Sequence, residues 1–282
     1  MTSSDLDIIV VSYNTRADLL ACMESLHAPR PRDLRKIIVV DNASSDGSAD
    51  VVRASWPAVE VVALDRNAGF AAANNVGFGR ATAPLVLLLN SDTIVPPLSI
   101  DRLVDRLVES GATAAGPKLV DGEGWPEVSY GPMLSPLAEL SQRRRVRRAA
   151  GRDTASRAFA EHLVSGEREV DWVSGACLLT RRDAAVEAGL LDERYFMYEE
   201  DVDFCAALRA RGGRILFTPA ATVTHLRGRS VRAAGAASAK AAAATAGPSH
   251  YDRSHLAFYE KHLPAWAPWL RVWLRLRGRV IR

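Results

Sequence analysis

The chain has 282 residues, 48% of them hydrophobic, which suits one sizeable α/β core with appendages. Its net charge of +3 is too small to mark a nucleic-acid binder, and no run approaches the roughly 20 apolar residues that span a bilayer. Cys22, Cys177 and Cys205 show no paired spacing of a disulfide or zinc framework, and residues 1–7 lack the pattern of a signal peptide, so a cytoplasmic protein is expected.

In chain order, the first 120 residues alternate β-branched runs with helical patterns, the form of βαβ units and a mainly parallel sheet. Strands are expected at 8–12, 36–41, 59–64 and 85–90, and helices at 17–27, 47–56, 70–80 and 99–110. The continuous apolar runs at 8–11 and 86–89 suit strands covered on both faces. From Pro117 to about Arg168 the composition turns to Gly, Pro and Arg and reads as surface loops and short helices. Order returns at 171–180, then in a helix at 200–211 ending at Gly212-Gly213, and in a strand at 214–218. Residues 231–248, nearly all small, read as a connector or lid. This divides the chain into a catalytic domain at 1–230, with a nucleotide-binding half at 1–120 and an acceptor half at 165–230, a connector, and a tail at 249–282.

Ligands of open α/β sheets bind outside the carboxyl ends of the strands. Those ends are polar here: Ser12-Tyr13-Asn14, then Asp41-Asn42-Ala43-Ser44, then Asn90-Ser91-Asp92. Asp41 can accept a hydrogen bond from a ligand donor such as the imide N–H of uracil or thymine, whereas Asp46 is better explained as a helix-capping or turn residue. Asp92 can bridge a divalent cation to a diphosphate, or it can be simple turn chemistry. The segment from Tyr195 to Phe204 holds Glu199, Glu200, Asp201 and Asp203 among aromatic residues, directly before a helix. One acid there can cap the helix; a general base that takes the proton of an attacking hydroxyl accounts for more, with the helix N-terminus keeping it ionised. His225, taken alone, carries no assignment.

Together these motifs resemble family 2 glycosyltransferases, particularly the rhamnosyltransferase-like branch that acts on lipid-linked or cell-wall glycans. The matching residues run from Val11-Ser12-Tyr13-Asn14 through Asp41-Asn42-Ala43, Arg66-Asn67-Ala68-Gly69-Phe70, Ala73-Asn74-Asn75 and Asn90-Ser91-Asp92. They continue with Val173-Ser174-Gly175-Ala176-Cys177, Glu199-Glu200-Asp201-Val202-Asp203 and His225. The resemblance implies the inverting GT-A fold, a pyrimidine nucleoside diphosphate sugar (dTDP or UDP) as donor, and Mg2+ or Mn2+ as cofactor. It implies Asp201 as base supported by Glu200 and Asp203, and Asp92 with His225 at the metal. The donor pocket would be formed by Ser12, Tyr13, Asn14, Asp41, Asn42, Ala43, Arg66, Asn67, Gly69, Phe70, Asn74, Asn90, Ser91 and Asp92. Acceptor contacts would come from Trp172, Gly175, Ala176 and Glu199. Many members have aspartate where Asn90 stands, which leaves an amide oxygen in place of a carboxylate.

In the tail, Trp266, Trp269, Leu270, Trp273 and Leu274 recur at helical spacing, flanked by Arg271, Arg275, Arg277, Arg279 and Arg282. Such a helix suits an anionic membrane surface, or it packs on the core or on a second copy of the chain. The expectation is a peripheral enzyme on the inner face of the cell membrane, with a homodimer open. The cluster Arg143-Arg144-Arg145, Arg147 and Arg148 serves the same surface or is a solvated face. A dinucleotide oxidoreductase would need G-x-G-x-x-G after the first strand, and a nucleotide-sugar pyrophosphorylase a Gly-rich basic loop; the chain has Tyr13-Asn14 there. A catalytically silent sugar-nucleotide or membrane-binding module is the remaining alternative.

Overall fold

The computed structural model describes residues 4–226 and 249–277; the expected connector at 231–248, Arg279 and Arg282 lie outside them. The first half follows the βαβ pattern. Strands β1 (Leu6–Ser12), β2 (Leu34–Asp41), β3 (Glu60–Ala63) and β4 (Leu85–Asn90) alternate with helices α1 (Arg16–His27), α2 (Ser48–Ser55) and α3 (Phe70–Arg80). The four strands are parallel in the order β3-β2-β1-β4. All seven residues of β1 are buried, as expected of a strand covered on both faces. Helix α1 closes one face with Leu19, Cys22, Met23 and Leu26, spaced three and four apart.

The chain then adds β5 (Thr93–Ile94), α4 (Ser99–Ser110), β6 (Ala114–Val120), β7 (Pro126–Glu127) and β8 (Tyr130–Gly131). Next come α5 (Pro136–Ala149), α6 (Thr154–Leu163), β9 (Arg168–Val170), β10 (Trp172–Val173), β11 (Cys177–Arg181) and α7 (Arg182–Glu187). The remaining elements are α8 (Glu200–Ala210), β12 (Ile215–His225), α9 (His250–His262) and α10 (Ala267–Leu276). The ten-stranded sheet continues from β4 as β11-β6-β12-β5, with β7 on β6 and β9 on β12, while β8 and β10 form a separate ribbon. β11 enters antiparallel between β4 and β6, so the sheet is mixed rather than parallel throughout.

Three expectations are refined. The stretch from 117 to 168 contains a 14-residue helix, α5, capped by the Ser135 side chain, and a 10-residue helix, α6, capped by Asp153. α5 buries little beyond Ala149, so no apolar stripe announces it. The strand expected to end at Thr218 runs through Pro219, shifting register between Thr218 and Thr222, and His225 is its last residue rather than a loop residue beyond it. The tail divides in two. Helix α9 buries Asp252, Ser254, His255, Leu256, Phe258 and Tyr259. In α10, Ala267 and Leu274 are buried and Leu270 packs on the core, while Trp266, Trp269, Trp273, Val272 and Leu276 are exposed. The apolar residues expected on one face therefore serve two adjacent faces.

Candidate active site

The sheet order reverses between β1 and β4, which opens a crevice at their carboxyl ends. Register places Ser12 beside Asp41, and Val11 beside Asn90. The three polar strand ends are joined by their own side chains. Ser12 Oγ lies 2.9 Å from Thr15 Oγ1, which lies 2.9 Å from Ser91 Oγ. The Asn14 N–H donates to Ser44 Oγ at 2.9 Å, and the Ser45 N–H donates to Asn14 Oδ1 at 2.8 Å. Asp46 accepts the N–H of Arg16 at 2.9 Å and of Ser48, two residues on, at 3.0 Å, the turn role among those expected of it. Asp41 differs: Oδ2 accepts the Ser44 N–H at 3.1 Å, while Oδ1 is buried with no hydrogen-bond partner among the described residues. A buried carboxylate oxygen left open in this way is suited to a ligand's N–H.

Asn42 shapes the loop after β3. Its Nδ2 donates to Asn67 Oδ1 at 2.9 Å and its Oδ1 accepts the Ala68 N–H at 2.8 Å. Gly69 has φ +90°, and a Cβ there would stand 2.6 Å from the Phe196 carbonyl, so only glycine fits. The next residue, Phe70, donates its N–H to that same carbonyl at 2.7 Å. Thus the loop after β3 is pinned to the acidic segment. Of the six non-glycine residues with positive φ among the described residues, Asn14, Ala43, Tyr198 and Glu199 lie in these loops. Such strain persists where surrounding contacts over-determine the backbone, commonly at functional sites.

His225 pairs with Thr93 through β12 and β5, which brings its Nε2 to 3.3 Å from Asp92 Oδ1. Its Nδ1 faces Glu127 Oε2 at 3.5 Å. Burial works against the charged imidazole, but the two carboxylates outweigh it and raise its pKa to about 9. Nearby, the buried Asn90 Oδ1 has no hydrogen-bond partner among the described residues. One carboxylate, one imidazole that would give up its proton on binding, and an open amide oxygen could hold a divalent cation. Among the described residues, no group of three or more His, Cys, Asp or Glu side chains could hold a metal by itself.

The second acidic centre reaches the same place. Asp201, at the start of α8, accepts the Gly175 N–H on Oδ2 at 2.8 Å, and a Cβ on Gly175 would lie 3.2 Å from the Asp201 Cβ. The next residue, Ala176, accepts the Asn90 N–H at 3.0 Å. Asp201 and the Asn90–Asp92 turn therefore sit on consecutive residues of one segment. The Val202 N–H in the first turn of α8 donates to Asp201 Oδ1 at 2.8 Å and favours its ionised form, as expected of a helix N-terminus, but burial acts more strongly. Burial raises its pKa, the Gly175 N–H opposes this, and the Glu199 charge adds to it, giving about 6. Glu200 is buried and pushed well above the usual carboxylate range, first by desolvation and then by Asp201. Its Oε2 has no hydrogen-bond partner among the described residues.

Other expected residues are placed as follows. Tyr13 and Arg66 are exposed at the rim. Asn74 is buried in α3, its Nδ2 donating to the Phe70 carbonyl at 2.9 Å. Trp172 lies in the β8–β10 ribbon with its indole N–H on the Pro132 carbonyl at 2.9 Å. Asp203 is fully engaged, accepting from Tyr195 Oη at 3.2 Å and Lys261 Nζ at 2.8 Å, with His262 Nε2 at 2.6 Å. Sequence reasoning missed Thr15, Glu127, Glu139 and His255. Glu127 and Glu139 lie in the stretch without periodicity, and His255 reads as one polar residue of a tail helix.

Residues 4–244 match the family described as Glycosyltransferase like family 2. The chain is 30% identical over 290 residues to an N-acetylglucosaminyl-diphospho-decaprenol L-rhamnosyltransferase of Mycobacterium tuberculosis, covering 96% of this chain and 89% of that one. A pre-mycofactocin glycosyltransferase of the same organism is 27% identical, over 78% of this chain and 42% of its own length. Among solved structures, GalNAc-T7 with UDP, GalNAc and Mn2+ superposes with a TM-score of 0.58 at 16% identity, covering 78% of this chain and 43% of that one. TarS of S. aureus superposes at 0.53 with 17% identity, covering 78% and 60%. The latter two likenesses establish the shared GT-A fold. With the family's motifs gathered at one sheet edge and the match running through nearly the whole described chain, the protein belongs to the glycosyltransferase-like family 2 and is a hexosyltransferase.

Proposed function

We propose that this enzyme transfers L-rhamnose from dTDP-rhamnose to a hydroxyl of a polyprenyl-diphosphate-linked N-acetylglucosamine, with inversion at the anomeric carbon. The observation that carries the reading is the meeting of Asp201 and Asn90 on the consecutive residues Gly175 and Ala176, which puts a base beside the donor-side turn. The choice of sugars follows the name of the mycobacterial relative, which aligns over 96% of this chain.

Asp41 receives the pyrimidine imide N–H on its open Oδ1. Asn42, Asn67 and Gly69 hold the loop against which the nucleotide and sugar rest. Asp92, His225 and the amide oxygen of Asn90 would hold Mg2+ or Mn2+, which would supply positive charge against the departing nucleoside diphosphate. Asp201 removes the proton from the acceptor hydroxyl as its oxygen attacks the anomeric carbon and the bond to the diphosphate oxygen breaks. With a pKa of about 6, its carboxylate is ionised at neutral pH yet basic enough to accept that proton. Glu199, Trp172 and Ala176 border the acceptor side.

Helix α10 serves acceptor access. It exposes Trp266, Trp269, Trp273, Val272 and Leu276, interleaved with Arg271, Arg275 and Arg277, a combination that favours an anionic bilayer surface. No helix among the described residues is long and apolar enough to cross a membrane. A peripheral position on the inner leaflet accommodates a lipid-linked acceptor.

A thermal-shift screen of dTDP- and UDP-sugars with Mn2+, followed by transfer to polyprenyl-diphosphate N-acetylglucosamine, tests the reading. Stabilisation and transfer with dTDP-rhamnose are expected. Response only to UDP-N-acetylglucosamine or UDP-galactofuranose would replace the donor, and response to none would remove the transferase assignment of this site.

A further inference from the structure

The acidic segment is held along its length by α9, from the far side of the tail. His250 stacks on Phe196 with ring centroids 4.6 Å apart, and Ser254 Oγ donates to the Met197 carbonyl at 2.8 Å. Lys261 and His262 grip Asp203, while Phe258 and Tyr259 pack with Tyr195 and Val202. At the centre stands His255, 4% exposed. Its Nδ1 lies 2.9 Å from Glu199 Oε1 and its Nε2 lies 3.2 Å from Glu139 Oε2 of α5. Tyr251 stacks on the ring at 5.3 Å, and Tyr259 donates its hydroxyl to Glu139.

We propose that His255 is a positioning residue for the transfer reaction: bridging Glu199 and Glu139, it fixes the left-handed turn at Glu199 and offsets the Glu199 charge beside Asp201. The inference rests on Asp201 as the base. Two observations converge on it. Glu199 has φ +65° and follows Tyr198 at +74°, two successive non-glycine residues in a strained conformation immediately before α8, and the imidazole bond is a restraint on that turn. Glu199 and Glu139 are both largely buried, so two carboxylates facing one imidazole leave their charges poorly screened unless the ring is cationic.

Burial opposes the charged ring, but Glu139 and Glu199 raise its pKa to about 9. The groups facing it are Glu199 before α8, Glu139 on α5, itself paired with Arg143, and Tyr251 and Tyr259 on α9. A raised histidine pKa means that the bridge is fully present below the unfolded value and is lost as pH rises through about 9.

The test is the pH profile of transfer by the full-length enzyme. His255→Gln should lower kcat about 10- to 100-fold with donor KM little changed. It should also move the acid limb of kcat upward by roughly half a unit or more, because Asp201 then ionises beside an unbalanced Glu199. Adding Glu199→Gln to His255→Gln should return the acid limb to its original position, since the uncompensated charge is gone. A loss of kcat with no movement of the acid limb, or no return in the double variant, overturns the proposal. If His255→Gln does not fold, Glu139→Gln keeps the test open: its alkaline limb should fall at lower pH than in the parent, and an unmoved alkaline limb overturns the proposal. Asp201→Asn, assayed alongside, separates the two readings, since its full activity would remove the base itself, whatever His255 does.

Discussion

Nε2 of His225 and Oδ1 of Asp92 face one another at 3.3 Å, the imidazole at the end of β12 and the carboxylate just before β5. The pairing of these two strands makes one polar site from segments far apart in the chain. If this site binds the catalytic cation, Asp92→Asn and His225→Ala should each weaken Mn2+ binding by about 10-fold or more. The Mn2+-dependent part of the donor's thermal stabilisation should disappear with it. Glu127→Gln, acting through His225 Nδ1, should give a smaller loss in the same direction. Mn2+ titration followed by thermal shift measures all three.

Asp201 should give kcat/KM an acid limb near pH 6, activity rising with pH as the base loses its proton. Asp201→Asn should abolish most transfer, by about 1,000-fold or more, while donor binding persists. It should also melt higher at pH 7. The folded pKa lies above the unfolded value, so the native state binds the proton more tightly and ionisation above pH 6 weakens it. An amide carries no such penalty and can still accept the Gly175 N–H on its oxygen, giving up the bond from the Val202 N–H to the other. A lower melting temperature for the variant would contradict this account.

Gly69→Ala should destabilise the fold by about 1–3 kcal/mol, because φ +90° and a carbonyl 2.6 Å from the new Cβ both oppose a side chain. The loop carrying Asn67 and Phe70 would shift, so donor affinity should fall more than the stability loss accounts for. Calorimetric donor titration of the folded fraction checks this.

Replacing Trp266, Trp269 and Trp273 together by alanine should reduce binding to anionic vesicles at least about tenfold and leave transfer to a short, water-soluble acceptor unchanged. All three rings are exposed, so the melting temperature should move little. Wild-type vesicle binding should weaken with added salt, as Arg271, Arg275 and Arg277 are screened. Co-sedimentation with vesicles of stated anionic content reads both effects.

The βαβ half was legible from local pattern. β1, β2 and β4 are short apolar runs ending in polar residues, and Asp41, Asn90 and Asp92 were recognisable by standing at those ends. Periods of 2 and 3.6 residues are set by the backbone itself, so a few residues suffice to reveal them. The segment from 117 to 168 was not legible in this way, because α5 is an arginine-rich helix with almost nothing buried. Its Glu139 pairs with Arg143 on the same helix, and meets His255 only because α9 packs beside it.

What the amino-acid order determined by itself is the set of chemical groups and the strands that end in them. Which groups meet was decided in three dimensions. Insertion of β11 antiparallel to β4 brings Gly175 and Ala176 between Asp201 and Asn90, and the pairing of β12 with β5 carries His225 to Asp92. Packing of α9 between the acidic segment and α5 gives His255 its two carboxylates, Glu199 and Glu139. Strand register and helix docking depend on shape and burial summed over many distant residues, and no local spacing encodes them.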